Sequence, residues 1–123
     1  MNTFTKINKL KRHILVVDDE MINREILANM LSNSYEVHTA ANGKEALEIL
    51  KAGDCSFSLI LVDLLMPVMN GFELIQILRE DESLRLIPII VMTSEKDAEV
   101  RSIKLGAADF ITKPYDMPDV ILA

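Results

Sequence analysis

Three acids, a hydroxyl and an amine are spaced along this chain so that each follows a strand-like run. Asp18 and Asp19 follow Ile14-Leu15-Val16-Val17, and Asp63 follows Leu59-Ile60-Leu61-Val62. Thr93 follows Ile89-Ile90-Val91-Met92, and Lys113 follows Asp109-Phe110-Ile111-Thr112. Adjacent carboxylates at the end of a buried strand repel each other unless a cation lies between them. Such a pair suggests a hard cation with oxygen ligands, most simply Mg2+. The plainer reading has Asp19 capping the next helix and Asp18 merely solvated. The chemistry that uses the whole set is phosphoryl transfer to a carboxylate. Nucleophile and donor are both anionic, so their approach needs positive charge between them. Asp63 is the best candidate nucleophile and would form an aspartyl phosphate. Lys113 suits pairing with Asp63 at rest and with a phosphoryl oxygen afterwards, and the Thr93 hydroxyl suits donation to another phosphoryl oxygen.

The elements that must position these groups alternate in period. Residues 13–18 read as a first strand. From Glu20 the spacing becomes helical: Ile22, Ile26 and Met30 fall four apart, with Leu27 and Leu31 repeating that spacing beside them. Asp19 is expected at the N-cap of this helix. Residues 35–40 alternate as an edge strand would, with Tyr35, Val37 and Thr39 on one face and Glu36, His38 and Ala40 on the other. Asn42 and Glu45 resemble a capping box for a second helix with a stripe of Ala46, Leu47 and Leu50, closed by Gly53. The third strand is Leu59 to Val62 with Asp63 at its end. Pro67 and Gly71 make the segment after it a shaped loop. A third helix follows, with Phe72, Ile75 and Leu78 inward and Arg79 to Glu82 trailing outward. Pro88 opens the fourth strand at no cost in ladder bonds. A mostly polar helix over 96–105, anchored by Val100 and Ile103, precedes Gly106 and a short fifth strand. Asp116 is placed to cap a last helix that has only residues 117–123, which suggests a module cut from something longer.

Strand and helix alternating five times call for an α/β fold, a parallel sheet with helices on both faces. The first, third and fourth strands are apolar throughout and belong in the centre. The mixed second and short fifth fit the edges. Right-handed crossovers then give the order 2-1-3-4-5. Ligands in such sheets bind beyond the carboxyl ends of the strands, between strands one and three. All the chemistry-bearing groups collect on that rim.

Composition is consistent with one soluble domain. The chain has 123 residues, 50% hydrophobic and 26% charged, with a net charge of −6. That balance argues against a nucleic-acid surface. Lys6, Lys9, Lys11 and Arg12 form a basic extension over residues 1–12, which lacks the apolar stretch of a secretory signal. No apolar run approaches the ~20 residues of a membrane span. The single cysteine, Cys55, has no partner for an intrachain disulfide, which fits a reducing cytoplasm, and reads as an ordinary small residue of its connector. His38 has no second histidine or cysteine near it in the sequence and reads as a solvated edge residue.

Over residues 13–123 the chain resembles the receiver domain of two-component response regulators. The resemblance rests on Ile14-Leu15-Val16-Val17-Asp18-Asp19-Glu20, on Asp63-Leu64-Leu65-Met66-Pro67 with Gly71, on Thr93, and on Gly106-Ala107-Ala108-Asp109-Phe110-Ile111-Thr112-Lys113-Pro114. It implies a flavodoxin-like fold. It implies that Asp63 takes phosphate from a phosphohistidine on a sensor histidine kinase or phosphotransfer protein. It implies Mg2+ held by the Asp18 or Asp19 side chains, Asp63 and the Leu65 backbone carbonyl. It implies a switch in which Thr93 moves toward the phosphate and the ring of Phe110 rotates inward. The fourth helix, fifth strand and last helix then present a face to an output domain, a protein partner or a second copy. Leu65 and Glu95 would flank the approach of a hydrolytic water, which apolar Leu65 cannot orient.

Two other classes compete. An aspartate-nucleophile phosphohydrolase would be expected to carry a second acid two residues after the nucleophile, where this chain has Leu65, and would need a cap for which it has no spare residues. A flavin or nucleotide binder would need a Gly-, Ser- or Thr-rich loop after the first strand, where Asp18-Asp19-Glu20 repels bare phosphate. A receiver used only as an interaction surface is the remaining alternative.

Overall fold

The computed structural model describes residues 11–53, 55–64, 66, 69–93, 104, 107 and 109–112. The leader up to residue 10, the helix expected over 96–105 (apart from Lys104) and the expected last helix lie outside the described residues. The described elements are β1 (Arg12–Val17), α1 (Met21–Leu31), β2 (Tyr35–Ala40), α2 (Gly43–Ala52), β3 (Phe57–Asp63), α3 (Gly71–Glu80), β4 (Ile89–Thr93) and β5 (Asp109–Thr112). All strand pairings are parallel, and the strands lie in the order β2-β1-β3-β4-β5. β1 begins one residue inside the expected basic extension, and β3 begins two residues before the expected Leu59.

The central strands are apolar throughout because both faces of the sheet are covered. Alternate residues go to opposite sides. Leu15, Val17, Ile60, Val62 and Val91 pack with Ala46 and Leu50 of α2 and with Leu74, Ile75 and Leu78 of α3. Ile14, Val16, Leu61 and Met92 pack with Leu27 and Leu31 of α1. Leu47 and Phe72 sit half-buried against the first of these layers. Pro88 lies just before β4, where a missing N–H is tolerated, and its carbonyl still accepts from Ile60 N at 3.0 Å.

Helix α1 departs from the expected burial. Only Leu27 and Leu31 are buried in it. Ile22, Ile26 and Met30 are 68%, 45% and 44% exposed. Two adjacent rows spaced by four are both compatible with helical periodicity, but only one row meets Ile14 and Val16 on the sheet. The start of α1 differs too. Its N-cap is Glu20, not Asp19, and no side chain caps it from that position. Asp18 Oδ1 instead accepts the Glu20 N–H at 2.9 Å, the short-range bond that aspartate makes two residues ahead in a turn.

The other two described helices begin on side-chain caps. Asn42 accepts from Glu45 N at 2.8 Å at the start of α2. Gly53 closes that helix with φ 72°, a left-handed conformation open to glycine. Asn70 and Glu73 form a full capping box at α3, which was legible as Asn-x-x-Glu yet not anticipated. Arg79 does not simply trail outward. Its guanidinium donates to the carbonyls of Arg85 and Ile87 and so clamps the connector into β4. No described helix is long and apolar enough to cross a membrane.

Gly71 is the tightest point in this frame. A Cβ there would lie 2.7 Å from Leu64 Cα and 2.8 Å from the Asp63 carbonyl oxygen, both backbone atoms. The missing side chain is what lets α3 start directly over the end of β3, with Gly71 N donating to Leu64 O at 3.0 Å. Gly71→Ala should therefore cost about 1–3 kcal/mol of overpacking. Asn70→Ala should cost about 1 kcal/mol as a lost cap. Urea denaturation followed by circular dichroism would measure both; an alanine at 71 that is as stable as wild type would refute the close approach.

Candidate functional site

β1 and β3 are neighbours, and Val17 lies opposite Val62 in their register. The next residue of each strand is therefore an acid, Asp18 beside Asp63. Asp18 N continues the ladder to Ala40 O at 3.1 Å, so this carboxylate is carried on fixed backbone. One ligand oxygen each from Asp18, Asp19 and Asp63 can be chosen so that all lie within 4.8 Å of one another. Asp18 is 0% and Asp63 5% exposed, whereas Asp19 is open to solvent.

Buried carboxylates need partners. Asp18 Oδ1 takes the Glu20 N–H, and Arg24 Nη1 donates to the Asp18 backbone carbonyl at 2.7 Å. Arg24 thus brings a positive charge to the acidic strand end from the first turns of α1, a role its place on a polar helix face did not signal. Among the described residues, no buried side-chain nitrogen or oxygen lacks a hydrogen-bond partner. The donor set is all oxygen, two groups buried and one exposed, which is the chemistry a hard divalent cation requires. These residues fit such an ion.

The sheet register extends the rim. Asp63 pairs with Met92, and Thr93 pairs with Thr112. Thr93 is therefore carried one step past the acid level on the neighbouring strand, and Lys113 follows Thr112 in the chain. The side chains of Thr93 and Phe110, together with Leu65, Glu95 and Lys113, lie outside the described residues.

Two further features stand out, one beside this rim and one away from it. Met21, Ile22, Ile26 and Met30 leave an exposed apolar stripe along α1, which begins next to Asp18 and Asp19. At the opposite end of β1, the reading of His38 as an isolated edge residue does not hold. His13 and His38 share a ring–ring hydrogen bond of 2.9 Å, and Cys55 Sγ lies 3.9 Å from the same His38 nitrogen. Partial burial, and then the neighbouring His13, hold the His38 imidazole below its usual pKa, with Glu36 pulling the other way. The partners come from positions 25 and 17 residues away, so sequence proximity could not reveal them.

Comparison with known proteins gives this geometry a family. The model of the response regulator receiver domain matches residues 14–123. The two-component response regulator ORR3 of Oryza sativa subsp. indica is 38% identical over 111 residues, covering 88% of this chain and 84% of that protein. Among solved structures, the chemotaxis response regulator CheY4 of Vibrio cholerae superposes with a TM-score of 0.79 at 34% identity, covering 91% of this chain and 93% of that one. The signal receiver domain of a signal transduction histidine kinase from Syntrophus aciditrophicus gives 0.76 at 38% identity, covering 90% and 83%. Fold, matched span and relatives agree: the chain belongs to the receiver domain family of two-component response regulators.

Proposed function

We propose that this receiver is phosphorylated on Asp63 by a phosphohistidine protein, a sensor histidine kinase or a phosphotransfer protein. The observation that carries the reading is the convergence of Asp18, Asp19 and Asp63 at the ends of two adjacent strands. In the transfer, an Asp63 carboxylate oxygen attacks phosphorus. A P–O bond forms, the donor's P–N bond breaks, and the imidazole leaves. Asp18, Asp19, Asp63 and the Leu65 carbonyl would hold Mg2+, which when bound supplies the positive charge that two anionic reactants need between them. Asp18 is placed by its bond from Glu20 N–H, and the Arg24 guanidinium holds the turn that carries it.

Lys113 and Thr93 are assigned to the phosphoryl oxygens, Lys113 by charge and Thr93 as a hydroxyl donor. Their places in the chain, one after Thr112 and one opposite it, support the assignment. The added charge then biases a two-state equilibrium felt through Thr93 and Phe110 at β4 and β5. The face around β5 is the proposed contact with an output domain, a partner or a second copy. The single cysteine supports a reducing, cytoplasmic setting.

A protein donor, rather than a small molecule alone, is favoured by the exposed stripe of Met21, Ile22, Ile26 and Met30 beside the acids. Large exposed apolar side chains grouped next to a reactive rim mark a docking surface.

Incubation with acetyl phosphate and Mg2+ should add the mass of one phosphate, and Asp63→Asn should abolish the gain. Retention of the modification in Asp63→Asn, or none in folded wild type, would overturn the assignment. A double change, Ile22→Lys with Ile26→Glu, should slow transfer from a phosphohistidine protein at least about tenfold, the equivalent of 1.4 kcal/mol. It should leave acetyl phosphate labelling near wild type. Equal loss with both donors would place the effect in the site rather than in docking.

A further inference from the structure

The cluster of His13, His38 and Cys55 lies at the amino end of the sheet, away from the acid rim. We propose that it is a binding site for a borderline-soft divalent metal ion, Zn2+ as its type, ligated by His13, His38 and Cys55. One ligand atom from each lies within 4.8 Å of the others. They come from three separate stretches: β1, β2 and the connector before β3. Nothing in chain connectivity forces such groups together.

The distances suit the ion. Zn–N bonds near ~2.05 Å and a Zn–S bond near ~2.3 Å, arranged tetrahedrally, put two nitrogens about 3.4 Å apart and nitrogen about 3.6 Å from sulfur. The His13–His38 separation is 2.9 Å and the Cys55–His38 separation is 3.9 Å. Small side-chain rotations therefore convert the ring–ring hydrogen bond into two metal bonds. All three residues are partly exposed, so the ion has access. His38 and Cys55 also line an open cavity of about 440 Å³ with Glu48 and Thr39, which leaves room for water at a fourth position. Phe57 stands edge-on to both imidazoles, at 5.0 Å from His38 and 6.3 Å from His13 between ring centroids, and limits how far either ring can swing.

Ligand softness separates this site from the acid rim. Two imidazoles and a thiolate select Zn2+ over Mg2+, whereas three carboxylates favour the hard ion. On binding, the Cys55 S–H bond breaks, the sulfur keeps the electron pair and bonds the metal, and the proton goes to solvent. No electron is transferred. The bound ion would tie β1, β2 and the β3 connector together, so it should stabilise the fold increasingly as free ion rises above its Kd.

The test uses the full chain without a histidine tag, in excess Mg2+. Co2+ should bind one per chain and give a thiolate-to-cobalt charge-transfer band, and Zn2+ should displace it and raise Tm. Cys55→Ser should remove the band, and His38→Gln should weaken Zn2+ binding by roughly a hundredfold or more, beyond what loss of a supporting contact does. Asp63→Asn should change neither. Absence of the band in folded wild-type protein would overturn the proposal. So would Zn2+ binding that survives both Cys55→Ser and His38→Gln, or that disappears in Asp63→Asn. Circular dichroism of each variant separates lost ligation from lost folding, and His13→Gln supplies an independent ligand change should Cys55→Ser not fold.

Discussion

Two carboxylates buried side by side, Asp18 and Asp63, constrain everything around them. Taking a carboxylate pair out of water is costly unless well-placed partners offset it. At Asp18 the fold meets part of that cost with local, directed groups: the Glu20 N–H on its carboxylate, and the Arg24 guanidinium on its backbone carbonyl. Such bonds hold only if the backbone beneath them is fixed. That is what the two apolar layers provide, one under α1 and one under α2 and α3. The reactive rim is therefore rigid at its base and polar at its edge. Gly71 belongs to the same requirement, because any side chain there would push on the backbone of Asp63 and Leu64.

Strand β1 carries different chemistry at its two ends. Asp18 follows its carboxyl end, and His13 stands near its amino end, about 16 Å away at ~3.3 Å per residue. A parallel sheet separates these ends by construction: every strand delivers its last residue to one rim and its first to the other. The acid rim collects β1 and β3, and the imidazole–thiol cluster collects β1, β2 and the connector into β3. The first set is all oxygen and the second nitrogen and sulfur, so one cation type need not compete for both.

Much of this was readable from residue order, because the signals were local. The apolar runs named the central strands, the alternation at 35–40 named the edge, and Gly53 and Asn42 named the limits of α2. The acid rim was legible for a related reason: in a parallel sheet, strand ends share an edge whatever lies between them. What could not be read depended on angle or on long-range approach. Helix α1 has two candidate rows, and only the sheet decides that Leu27 and Leu31 turn inward. The N-cap shifted to Glu20 because Asp18 reaches forward to its N–H, a competition between two adjacent acids that spacing cannot resolve. His38 reads as isolated in the sequence because its partners sit 25 and 17 residues away, and register alone sets His13 opposite Glu36, two residues from His38 on the same face of β2.

The exposed row of α1 lies beside the buried carboxylates. The proposed donor, itself anionic, would need that side of the rim open. Had Ile22 and Ile26 been polar, the helix would keep its seat through Leu27 and Leu31 with nothing lost from either core layer. Their apolar character is thus not demanded by folding. Scattered single apolar residues on a surface call for no explanation, but four grouped on one helix next to the acids do. Burial against the proposed partner would give that row the stabilisation the fold itself withholds. The same contact would exclude water from the carboxylates at the moment the two anionic groups meet, which strengthens every charge interaction in the site. On the proposed reading docking and chemistry would be joined by position: the apolar row on α1 begins where the Asp18-Asp19 pair ends.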